Sequence, residues 1–120
     1  MRGIRHLAYT LIILFLLNSI GSAQESEWAR ISGVWMTTTN TAVLKISVKN
    51  GAPLLEEWSA WSGKKLVISD YAWDGKILKF SSYFPDTRHR ASFRLELIDN
   101  DTLSGKRFGD IPGDVTWKRK

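Results

Sequence analysis

From Gln24 onward the chain is written in steps of two. Leu44, Ile46 and Val48 alternate with Lys45, Ser47 and Lys49, and Ala91, Phe93, Leu95 and Leu97 alternate with Ser92, Arg94 and Glu96. That period turns successive side chains to opposite faces of an extended strand, one face apolar and the other wet. Turn residues separate the runs: Asn50-Gly51, Ser62-Gly63, Asp74-Gly75, Pro85-Asp86, Asp99-Asn100-Asp101 and Ile111-Pro112-Gly113-Asp114. Asn-Gly and Asp-Gly between alternating segments are hairpin signals, because both tolerate positive φ. Only Glu25–Ile31 offers as much as one turn of helical spacing.

The runs between breaks predict eight strands: Val34–Thr39, Val43–Lys49, Leu54–Ser59, Leu66–Trp73, Ile77–Phe84, Ala91–Ile98, Thr102–Phe108 and Val115–Arg119. Parallel pairing requires a crossover of a dozen residues or so, and no connection here is that long. The expected fold is therefore all-β, an eight-stranded antiparallel up-and-down meander. Short strands with one apolar face must close or stack to hide their edges. A small closed barrel is the first expectation and a small two-sheet β-sandwich the alternative.

The first residues follow another plan. Met1 to His6 is a short basic head, Leu7 to Leu17 an uncharged apolar core, and Gly21-Ser22-Ala23 a small-residue exit before the polar Gln24-Glu25-Ser26-Glu27. This is the pattern of a cleavable secretory signal over residues 1–23, cut after Ala23. The expected product is residues 24–120, a single domain that is secreted or periplasmic, with no membrane insertion after cleavage. Cleavage takes Arg2 and Arg5 but no acid, so the formal charge of +5 falls by two. The remaining basic residues are spread along the strands and do not cluster, so nucleic acid is not an expected partner.

Composition narrows the chemistry further. With no cysteine, the chain has no disulfide framework, thiolate metal site or thiol nucleophile. His89 is the single histidine after the signal, which rules out a multi-histidine metal site. Neither Gly-x-Ser-x-Gly nor Ser-x-x-Lys occurs. Asp70, Glu56 and Glu57 are carboxylates whose separation nothing in the sequence fixes. The residues thus point to a binding module: no enzyme, no catalytic residue, no metal and no cofactor are expected.

Gly33-Val34-Trp35 opens the first strand, and Val115, Trp117 and Arg119 share one face of the last by period two. The first motif resembles the glycine–x–tryptophan that begins calycin barrels, the group holding lipocalins and avidins. In that pattern a basic residue of the last strand lies across the tryptophan and closes the barrel's end. The resemblance implies that Gly33, Trp35 and Arg119 form such a cap. With Asp74-Gly75 and Leu103-Ser104-Gly105, the span Gly33 to Arg119 is also similar to small exported bacterial calycin-like modules.

Six tryptophans in so short a chain are more than packing ordinarily uses. Trp58 and Trp61, three apart across a turn, are expected to wall a barrel mouth with Tyr71, Trp73, Tyr83 and Phe84. Arg88 or Arg90, in the Arg88-His89-Arg90 turn, would be a rim donor for a carboxylate or other anion. A mouth lined by aromatics with a few polar groups suits a modest apolar ligand or a peptide segment. The alternative is a protein-interaction or inhibitor module of the cell envelope, acting through the Arg88–Arg90 turn and the Gly109–Asp114 loop.

Overall fold

A computed structural model describes residues 27–120; the signal expected over residues 1–23 lies outside them. Eight strands run β1 (Gly33–Thr37), β2 (Ala42–Lys49), β3 (Ala52–Ser59), β4 (Lys65–Trp73), β5 (Ile77–Phe84), β6 (His89–Asp99), β7 (Thr102–Gly109) and β8 (Gly113–Arg119). Each pairs antiparallel with its sequence neighbours, and β8 returns to β1, so the meander closes into a barrel. A closed ring leaves no free edges, which settles the choice between barrel and sandwich.

Local chemistry sets the strand limits. Asn50 (φ 52) and Gly51 (φ 78) are both left-handed, the pair of conformations a two-residue hairpin turn needs to match strand twist. β1 stops at Thr37, two residues short of the expected Thr39. The Thr37 hydroxyl accepts the N–H groups of Thr41 (2.9 Å) and Ala42 (3.1 Å), and Asn40 turns left-handed, so the chain reverses there. At β4–β5, Asp74 Oδ1 accepts from Lys76 N (2.9 Å) and Ile77 N (2.7 Å), and these bonds hold its carboxyl below the ordinary aspartate range.

Two irregularities reset the alternation. A bulge between Ser69 and Ala72 sets Asp70 and Tyr71 against one partner position, with Asp70 at φ 52, and returns Trp73 to the inward face opposite Leu78. A second shift between Leu97 and Asp99 leaves Ile98 on the surface. The seam between β3 and β4 is the thinnest, with only Glu57↔Leu66 and Trp58↔Lys65 in register. Farther along, Tyr71 spans it by donating its hydroxyl to the Pro53 carbonyl (3.1 Å).

The inward positions form one core of Trp35, Leu44, Ile46, Leu55, Leu78, Phe80, Phe93, Leu95, Leu103, Val115 and Trp117, with Ile31 added from beneath. Phe80 and Phe93, opposite one another across β5–β6, stack at 4.6 Å; Trp117 meets both edge-on at 6.5 and 6.1 Å. These three rings fill the waist of the barrel.

Candidate functional site: a plugged end and an open mouth

The two ends of the barrel are built differently. At one, the short helical turn Glu27–Arg30 and Ile31 fold under the strands. Trp35 donates its indole N–H to Ile31 O (2.9 Å) and Trp73 donates to Glu27 O (2.7 Å). Arg119, inward by its phase with Trp117, places its guanidinium carbon 4.4 Å from the centre of the Trp35 ring. Its N–H groups donate to the carbonyls of Ser32, Arg30 and Asn100. A Cβ at Gly33 would stand 3.0 Å from Arg119 Nη1, and Gly33 has φ +136, so glycine is what lets the arginine lie flat there. A cation over an indole in a partly dry site contributes about 1–2 kcal/mol.

At the other end several inward rows lose bulk. Along β2 they run Ile46, Leu44, Ala42; along β3 Leu55, Glu57, Ser59; along β6 Leu95, Phe93, Ala91. β5 gives Phe80, Ser82 and Phe84 in the same direction. Close packing fails where small residues face one another across the lumen, and a cavity of about 330 Å³ opens to solvent between Phe84, Leu66, Phe93, Ala91, Glu57 and Arg107. That lies at the small end of the roughly 300–1,000 Å³ range of ligand sites. Trp61, His89, Arg90 and Ile111 stand around its rim.

Glu57 is the electrostatic centre of this cavity. It is 3% exposed, and among the described residues its Oε1 has no hydrogen-bond partner. Burial pushes its carboxyl up to about 7, against the opposing pull of the Ser82 hydroxyl and the Arg107 charge. Arg107 donates Nε to the Ile111 carbonyl (2.5 Å), which ties the β7–β8 loop to the cavity wall. The rim is braced further by Arg90 N donating to Asp110 Oδ2 (2.8 Å) and by the exposed Lys64–Asp86 pair (2.5 Å). Among the described residues no group of three His, Asp or Glu is placed to hold a metal ion.

The side chains singled out from sequence are dispersed over the molecule. Trp61, 85% exposed, lines the mouth. Trp58 lies between the inward Glu57 and Ser59, hence on the outer face, with the Lys65 ammonium 5.8 Å from its ring centre. Tyr83 is outward as well, under Arg90 (5.1 Å). Tyr71 meets Trp28 edge-on at 6.0 Å toward the plugged end, where Trp73 also sits. Arg88 is in the β5–β6 turn at φ 60, exposed. Asp70 is exposed on its bulge and Glu56 is paired outside with Lys65 (2.9 Å), so neither joins Glu57. Ser82 and Arg107 are not among the side chains singled out from sequence, and Glu57 stands there only as one of three carboxylates of unfixed separation, although period two from Leu55 and from Leu103 puts Glu57 and Arg107 on the inward face.

Comparison with protein-family models, with curated proteins and with solved structures finds no match.

Proposed function

We propose that the chain is a small exported binding module of calycin type, holding a modest apolar ligand in the open mouth of its barrel. One observation carries the reading: inward side chains taper from Trp and Phe to Ala and Ser toward a single end, and the space they release is lined by Leu66, Phe84 and Phe93. A lumen needed only for stability would be filled along its whole length, because unfilled core volume destabilises. Calycin kinship is supported by the closed meander and by Arg119 over Trp35; export is supported by the pattern of residues 1–23.

The test is native mass spectrometry after soaking the purified protein in a mixed lipid and small-molecule extract. Ala91→Trp, which sets an indole into the cavity, serves as the control, with its melting curve measured in parallel. Adducts on the wild type that vanish from a folded Ala91→Trp protein are the expected result. Identical adducts on both would overturn the reading.

The second reading, an envelope partner engaged through the rim loops, is favoured by the exposure of Trp61 and Ile111 on that rim. Capture of a partner that survives Ala91→Trp but is lost in Arg88→Ala/Arg90→Ala would select it.

A further inference from the structure

We infer that the occupant of the mouth is a compact apolar molecule with a neutral head that both donates and accepts a hydrogen bond, such as a primary amide or a phenol, its donor on Glu57 and its acceptor toward Arg107. This rests on the pocket reading above and adds the chemistry of the head group.

Two fixed groups of opposite sign share the wall of a small, largely apolar space. Glu57 is buried, faces the lumen from β3, and keeps Oε1 unpartnered among the described residues. A buried acceptor without a donor is costly, and a ligand that supplies one removes that cost. Arg107 faces the same space from β7; its Nε is engaged by Ile111 O, and a guanidinium has further donors at Nη. A cationic head would gain Glu57 but bring a like charge against Arg107. An anionic head would gain Arg107 and set two carboxylates together. In a confined apolar site such repulsions are only weakly screened. A neutral donor–acceptor head satisfies both walls without adding charge, while Leu66, Phe84 and Phe93 take the apolar body.

Matched naphthalene probes read this directly by calorimetry at about pH 8.5, where Glu57 and the acid probe are ionised and the amine probe is still largely protonated. These are 2-naphthamide, 2-naphthoate, 2-naphthylmethylammonium and, as the headless body, 2-methylnaphthalene. The amide is expected to bind about tenfold or more tightly than either ion. Glu57→Leu should remove the amide's advantage over 2-methylnaphthalene while the hydrocarbon still binds. Glu57→Gln, which keeps an acceptor oxygen without the charge, should retain the amide and admit the anion. Either ion binding as tightly as the amide, or an amide advantage that survives Glu57→Leu, would overturn the inference and leave the pocket standing. Failure of all four probes, on wild type and on Glu57→Leu, would overturn the pocket reading and this inference together.

Discussion

The two ends of this barrel are made from the same eight strands under the same alternation, yet one is solid and the other hollow. At the solid end Trp35 is fully buried, Ile31 plugs the floor, and Arg119 satisfies three backbone carbonyls while covering an indole. At the hollow end the corresponding inward positions include Ala42, Ser59, Ser82 and Ala91, and Glu57, which shares that wall with Arg107, is under-satisfied. The difference shows that side-chain size along the inward rows, and not strand number or pairing, decides where a small barrel is core and where it is cavity. It also separates a half-buried charge from a buried one. Arg119 stabilises because its partners are built in, whereas Glu57 costs stability because one of its oxygens lacks a partner.

Substitutions at the two ends put that contrast to the test. Trp35→Ala should cost about 3–5 kcal/mol, the range for emptying a large aromatic site, measured by urea unfolding; a loss under about 1 kcal/mol would mean the plugged end is not the stabilising one. Glu57 comes next. Burial holds its folded carboxyl at about 7 against the ordinary glutamate value of 4.5, so between those values the folded state holds the extra proton. Stability then falls as pH rises, and above about pH 7 the group withdraws about 3 kcal/mol relative to acid conditions. Glu57→Gln should flatten this slope, so the variant gains on the wild type as pH rises from about 4.5 to about 7 and holds that gain above it; parallel curves would remove Glu57 from the strained role assigned to it. Arg119→Ala should cost about 1–2 kcal/mol, read as a lowered melting temperature. Trp61→Ala should change stability by no more than about 0.5 kcal/mol, since the ring is exposed. Ligand binding in the mouth should nevertheless change tryptophan emission less in this variant than in the wild type, since Trp61 lines the cavity.

Much of the architecture was readable in the residues, because alternation and turn chemistry are local signals. Asn50-Gly51 adopts the two left-handed conformations its composition favours, and Arg119 falls inward simply by counting back to Trp117 and Val115. The cavity was harder to read for three physical reasons. Aromatic rings advertise themselves in sequence but serve as plug, outer face and rim alike, as Trp73, Trp58 and Trp61 do. A hollow is made by small residues, and Ala42, Ser82 and Ala91 attract no notice until strand register aligns them at one end. The bulge at Asp70–Tyr71 changes phase within β4, so counting through it turns Trp73 to the wrong face. Glu57 was legible in principle: it continues the apolar row of Leu55, where a carboxylate is out of place.

Because β8 lies against β1, with Lys120 N donating to Val34 O, the order in which the strands are spelled out along the chain is arbitrary as far as the finished ring is concerned. A rearranged gene that splices the tail to the Glu27–Arg30 turn through a short tether and starts instead at Gly51 would keep every ladder. Such a permutant moves the break in the chain to the Asn50–Gly51 tip without touching the hollow end.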